Sequence, residues 1–483
     1  MKKNQYETPL YTAILEYSKK KVIPFDVPGH KQGRGNKELV EFLGEKTLSV
    51  DVNSMKPLDN IGNPIGVIKE SEELMAEAFS SDNSFFLVNG TSAGVQAMIM
   101  SVCHQGDKII IPRNVHKSAI NALILSGAHP IYVQPEIDDH IGISLGVSVE
   151  SYKKAIEENS DAKALFVINP TYYGIVSDLK KILELAKSHG LVTIVDEAHG
   201  THFYFNDNFP DGAMKLGADI SSVSLHKTGG SLTQSSVLLS NNGLVDKGTI
   251  KTTLNLTQST SASYLLMTSL DITRKMLATE GKEIFNKVRE LSIYARNETN
   301  KIEGYYAFGK ELIDKNSVYD FDETKLSINT TNIGLTGIEV YDILRDEYNI
   351  QVEFGDSNNI LAIISVGDTK ENIDKLIGAL KDISRKYKKE KKAPIKLNFR
   401  NPSVIVSPRD AFYSNKKRIK LEDSTGEISG ESIMAYPPGI PIVSPGERID
   451  DEMIKYIIHL KEKGSILTGT EDPEIKWIKV LGI

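Results

Sequence analysis

A mostly parallel α/β sheet in a large domain, followed by smaller α+β domains, is the fold class this 483-residue sequence predicts. Three observations predict it. Short apolar runs at Phe85–Val88, Lys108–Ile111, Ile131–Val133, Ala164–Ile168, Leu191–Val195 and Ile220–Leu225 alternate with helical stretches such as Asp178–Ser188. Strands covered on both faces read as continuous hydrophobic runs of this kind. Polar outliers collect where the runs end, which is where an open parallel sheet places its ligand. From about residue 275 the organisation changes to a strand at Ile360–Val366 and an amphipathic helix over Asp368–Lys389. Its apolar positions, Ile373, Leu376, Ile377, Leu380 and Ile383, keep close to the helical period.

Taken in order, residues 1–55 form an arm. Tyr11, Ile14 and Leu15 make a short amphipathic stretch, and Pro28-Gly29-His30-Lys31-Gln32-Gly33 then interrupts regular structure. Such an arm has little of its own to bury, so it is expected to pack on another domain or another subunit. Residues 56–274 carry the large domain and residues 275–392 a smaller α+β domain. Residues 393–483 form a last, loop-rich domain stiffened by prolines at Pro437–Pro441.

Composition narrows the class. The net charge of −7 offers no basic footprint for nucleic acid, and the cluster Arg385–Lys392 reads as a solvated helix end. One cysteine, Cys103, excludes an intrachain disulfide and a cysteine-based metal cluster. The N-terminus lacks an apolar signal region, and no apolar run approaches the length of a membrane span. A soluble cytoplasmic enzyme without a bound metal is expected.

The strand ends carry the chemistry. After Val88 comes Gly90-Thr91-Ser92 at a helix start, where free N–H groups and two hydroxyls suit a phosphate. After Ile111 comes His116, after Ile168 the turn Asn169–Gly174, after Val195 the run Asp196-Glu197-Ala198-His199-Gly200, and after Leu225 the pair His226-Lys227. A carboxylate closing a buried strand must be paired or bound to something. A lysine in a partly dry pocket beside another cation becomes a nucleophile for aldehydes, and a Schiff base with pyridoxal phosphate is the chemistry this arrangement points to. A rival is the match of Gly90-Thr91-Ser92-Ala93-Gly94 to G-x-S-x-G, which would make Ser92 the nucleophile of an acyl hydrolase. That reading needs an acid and then a histidine later in the chain. Asp196 and His199 lie too close along one turn for this order, and His226-Lys227 is left unexplained.

The stretch Ser222–Ser236 satisfies at every position the pattern Ser-x-Ser-x-His-Lys, small residues, then Ser/Thr-Gln-Ser-Ser. With Pro28–Lys31, Asp59-Asn60, Asn89–Gly94, His116–Ser118, Asp196–His199, Tyr436–Pro441 and Pro445-Gly446-Glu447, it resembles the pyridoxal-phosphate-dependent ornithine/lysine/arginine decarboxylases over nearly the whole chain. The resemblance implies the aspartate-aminotransferase-like transferase fold, type I. Lys227 would hold the cofactor, Asp196 would pair with its ring nitrogen, His116 would stack on one face, and Ala198 and His199 would line the other side. Gly90, Thr91, Ser92, Ser224 and His226 would hold the phosphate. Thr260 and Ser261 would reach a phosphate in a neighbouring subunit, because family members build their sites at a dimer interface. Lys227 or a nearby histidine would return a proton to Cα, and Glu447 would meet the basic end of the substrate. Ala262 stands where family members often have proline. The stretch before the large domain leaves no room for the N-terminal wing of the long acid-inducible members, so the chain resembles the short biosynthetic type. That type favours arginine, giving agmatine for polyamines, with lysine and ornithine open.

Overall fold

The apolar runs become strands in a computed structural model that describes residues 3–391, 403–436, 439–462 and 464–482. In chain order the strands are β1 (Asn83–Leu87), β2 (Lys108–Pro112), β3 (His129–Val133), β4 (Ala164–Ile168), β5 (Val192–Glu197), β6 (Ile220–Val223) and β7 (Ser236–Ser240). The chain divides into two units, Met1–Ser101 with Val195–Phe285, and Val102–Ile194 with Asn286–Ile483. Strands β1-β7-β6-β5 are neighbours in the first and β5-β4-β2-β3 in the second, β5 itself running through the division at Ile194 and Val195. β2 is parallel to β3 and β4. β7 is antiparallel to both β1 and β6, with Phe85 opposite Leu238 and Leu238 opposite Ser222.

Three local differences from the sequence reading matter for the site. β5 continues through Asp196 and Glu197, so these carboxylates close the strand from within it. β6 stops at Val223, and Leu225–Thr228 folds into a helical turn that carries Lys227. The Thr201 hydroxyl donates to the Ser224 carbonyl at 2.9 Å, and the Gly229 N–H closes the turn on the Leu225 carbonyl at 2.8 Å. β7 was not anticipated, because its Ser-Val-Leu-Leu-Ser pattern is capped by hydroxyls that read as a turn.

In the first unit the N-terminal helix Pro9–Lys19 packs on its own chain, burying Leu10 and Ile14. The N–H groups of Leu10 and Tyr11 donate to Asp271 Oδ2 at 3.1 and 3.2 Å. Arg274 donates to the carbonyls of Gln5 and Glu7 and to Asp271 Oδ1, at 2.6, 2.5 and 2.7 Å. Asp271 and Arg274 belong to a helix that runs unbroken from Tyr264 to Thr299, so a boundary at 274 falls inside an element.

The second unit contains a four-stranded sheet, in the order Tyr306–Ala307, Lys325–Asn329, Asn359–Ile363, Phe354–Gly355. The helix Lys370–Tyr387 buries the predicted stripe, including Ile373, Leu376, Ile377, Leu380 and Ile383, and Thr369 caps it by accepting from the Asn372 N–H. Ile433–Tyr436 pairs with Ile440–Val443 and with Ile466–Thr468, and a core of Ile433, Val443, Ile449, Ile457 and Val480 lies with them. The expected boundary at 392/393, the end of the basic cluster at Lys392, and Pro437 and Pro438 lie outside the described residues. Among the described residues no helix is long and apolar enough to cross a membrane, and no group of three or more His, Cys, Asp or Glu side chains could hold a metal ion.

Candidate active site

In the first unit, β1 leads into Gly90, whose φ of +72° turns the chain into the helix Gly90–Val102. A residue with a side chain is strained at that angle, which is why glycine opens this helix. The helix N-terminus presents unsatisfied N–H groups. Beside them Thr91 Oγ1 and Ser224 Oγ lie 2.6 Å apart, joining the start of the helix to the end of β6. Two buried hydroxyls next to free N–H groups make an anion cradle. Ser92 lies exposed on the first helical turn.

The G-x-S-x-G match has a different cause. A Cβ at Gly94 would sit 2.1 Å from Ser222 Oγ and 2.8 Å from Leu87 Cδ1. Gly94 is therefore the glycine that lets the helix lie against the sheet. Ser92, already inside the helix, does not occupy a strained turn before it, so the hydrolase reading of Ser92 is corrected here.

The ends of β5 and β6 supply the remaining groups. Asp196 is 8 % exposed and accepts from the Ala198 N–H at 3.0 Å. Burial raises its carboxyl above the ordinary value, while the Ala198 bond and the charge of Lys227 draw it down. Lys227 Nζ lies 2.8 Å from His199 Nε2, and His199 is buried at 3 % exposure. An amine and an imidazole at this distance share one proton: an ammonium donates to the ring, or the ring N–H donates to a free amine. His226 Nδ1 lies 2.9 Å from the Ser235 carbonyl. Burial lowers the pKa of His226 and Lys227 lowers it further, against the Ser235 carbonyl. The structure thus brings together Thr91 with Ser224, and Lys227 with His199 and Asp196.

Sequence reasoning passed over Glu197. Its carboxylate is fully buried and accepts from the Tyr204 hydroxyl at 2.5 Å, Ser221 Oγ at 2.7 Å and the Ala213 N–H at 2.8 Å. Burial pushes its carboxyl up to about 7. Successive strand residues point to opposite faces, so Asp196 and Glu197 serve different surroundings. The signal was two adjacent acids closing an apolar run.

Thr260 and Ser261 stand exposed, with the Ser261 N–H donating to Ser259 Oγ at 3.2 Å. In the second unit His116 caps the helix Lys117–Ser126, its Nδ1 2.9 Å from Ser118 Oγ and accepting from the Ser118 N–H at 3.2 Å.

Glu447 is a correction. It is 1 % exposed and its two oxygens take both arms of the equally buried Arg113 at 2.5 and 2.9 Å. It also accepts from the Ser444 N–H at 2.7 Å. Arg113 donates further to the Ile442 carbonyl at 2.8 Å and lies 4.8 Å from the centre of the Tyr132 ring. A carboxylate neutralised by a fork of this kind is not available to a substrate cation.

Comparison with known proteins gives these groups a context. The family model described as Orn/Lys/Arg decarboxylase, major domain, matches residues 8–372, and the corresponding C-terminal domain matches residues 395–476. The chain is 45 % identical over 482 residues to the arginine decarboxylase of Bacillus anthracis, covering 99 % of this chain and 98 % of that one. The arginine decarboxylase of Bacillus subtilis (strain 168) gives the same identity and coverage. The lysine decarboxylase of Francisella novicida shares the fold at a TM-score of 0.85, with 22 % identity over 98 % of this chain and 81 % of its own. Its fold is that of the pyridoxal-phosphate-dependent decarboxylases and aminotransferases, and the chain belongs to the Orn/Lys/Arg decarboxylase family.

Proposed function

We propose that the protein converts L-arginine and a proton to agmatine and CO₂, using pyridoxal phosphate held by the first unit. The observation that carries arginine over lysine is the full-length similarity to the Bacillus arginine decarboxylases. The cofactor fits the residues present. Thr91 and Ser224 with the helix N-terminus suit its phosphate, the Lys227 amine its aldehyde, and the buried carboxylate of Asp196 its ring nitrogen. When bound, pyridoxal phosphate offers an aldehyde to amines and a ring that takes up the electron pair released as the carboxylate leaves Cα.

The chain's own residues would do the rest. Asp196, kept from water and near the Lys227 charge, would pair with the ring nitrogen and favour its protonated form. Gly90, Thr91, Ser92, Ser224 and His226 would hold the phosphate, Ala198 and His199 would line one side of the ring and His116 would stack on the other. His199, at 2.8 Å from Lys227 Nζ, would orient that amine, and Lys227 or a nearby histidine would deliver a proton to Cα. Thr260 and Ser261 would reach the phosphate of a second copy, in a cytoplasmic homodimer making agmatine for polyamines. Supporting self-association, Ile23, Phe25, Val27 and Phe42 of the first unit are 75, 95, 59 and 83 % exposed.

The test is CO₂ release by the purified holoenzyme with arginine, lysine and ornithine in parallel. Arginine is expected to give the highest kcat/KM. A higher value for lysine or ornithine overturns the substrate, and a protein that pyridoxal phosphate cannot reconstitute overturns the whole reading.

A further inference from the structure

The second unit encloses a cavity of about 540 Å³ that the residues assigned above do not line. Its volume is within the range of small-molecule sites. Its walls have two characters. Tyr173, Tyr341, Phe354 and Tyr456 line it with aromatic rings, and Tyr173 and Phe354 meet edge to face at 5.7 Å. Ile440 and Ile442 add an apolar wall.

The charges are unequal. Asp342, Glu353 and Asp356 line the cavity together with Arg345. Arg345 is already engaged by Asp342 at 2.9 Å and by Asp346 at 2.7 Å. Asp356 accepts only from neutral groups, namely the Tyr173 hydroxyl and the N–H groups of Asn358 and Asn359, the latter two at 2.7 Å. Among the described residues neither Glu353 nor Asp356 has a cationic partner. Burial holds the Asp356 carboxyl above its ordinary value, against those bonds. Asp356 is half-buried and Glu353 exposed, so both are open to a cation entering the cavity. Aromatic faces attract a cation, and isoleucine walls accept a methylene stem.

We propose that this cavity binds a small organic cation, an alkyl amine or alkyl guanidine, with its charge at Asp356 and Glu353 and its stem against Ile440 and Ile442. The site uses none of the residues that would hold the cofactor, and it does not depend on which amino acid the enzyme decarboxylates.

Calorimetric titration of the holoenzyme with agmatine tests it, with adipate as an anionic control of similar length. Two agmatine molecules per chain are expected, one at the catalytic site as product and one in the cavity, and none of adipate. Glu353→Gln, at an exposed position, is expected to weaken one of the two sites about tenfold. It should leave kcat/KM for the best amino acid substrate unchanged. Asp356→Asn should weaken the same site. Three outcomes overturn the proposal: no agmatine site that Glu353→Gln weakens, adipate binding as well as agmatine, or a fall in kcat/KM in step with agmatine affinity.

Discussion

Glu447 and Arg113 are 334 positions apart in the chain, yet each takes both polar arms of the other at 1 % exposure. Removing one charge from a buried pair leaves its partner uncompensated, at a cost of about 3–5 kcal/mol. Glu447→Gln is therefore expected to lower the urea midpoint of the holoenzyme strongly and to change KM for arginine by less than about threefold. A large rise in KM with an unchanged midpoint would return Glu447 to the substrate. Nothing local in Pro445-Gly446-Glu447 betrays its partner, because ion pairing across the chain depends on tertiary placement. Asp196 and Lys227 were legible for the opposite reason. Each closes an apolar run, where a charged group demands an explanation from the sequence alone.

The helix Gly90–Val102 opens the cradle proposed for the phosphate, and its distance from the sheet is set at one residue. A methyl group at Gly94 would fall 2.1 Å from Ser222 Oγ and 2.9 Å from Ser222 Cβ. Ser222 is in β6, two residues before Ser224, so a helix displaced by Gly94→Ala moves Thr91 away from Ser224. Overpacking of this kind costs about 1–3 kcal/mol. The expected result is cofactor affinity weakened about tenfold in a spectral titration of the apoenzyme. Unchanged affinity would mean that the cradle tolerates the shift. The elements themselves were readable where hydrophobic period and length agree, as in β4 and the helix Lys370–Tyr387. They were unreadable where hydroxyls satisfy buried backbone: β7 hides in a serine-rich run, and the turn Leu225–Thr228 passes for the end of a strand.

At the scale of the whole molecule, Phe25, exposed with Ile23 and Val27 near it in sequence, and Phe42 fit the proposed burial against a second copy, because grouped exposed apolar side chains mark interaction sites. Phe25→Asp with Phe42→Asp is expected to shift the holoenzyme to a smaller species in light scattering; an unchanged mass would remove these residues from any interface. The interior makes a separate demand. Burial pushes the carboxyls of Glu72 and Glu197 from 4.5 up to about 7. A carboxyl whose pKa is raised on folding binds more protons in the folded state than in the unfolded one. Its contribution to stability is therefore complete below pH 4.5 and is lost as the pH climbs through 7. Each such group adds a slope of up to about 1.4 kcal/mol per pH unit across that window. Glu197→Gln keeps an acceptor for Tyr204 and Ser221 but does not titrate, so it should remove about one proton's worth of slope. Urea midpoints at pH 5, 6 and 7.5 measure this: the wild-type midpoint should fall more steeply than that of Glu197→Gln. Parallel profiles would mean that Glu197 titrates alike in the folded and unfolded chain, and that its hydrogen bonds to Tyr204, Ser221 and Ala213 offset the whole cost of burying its charge.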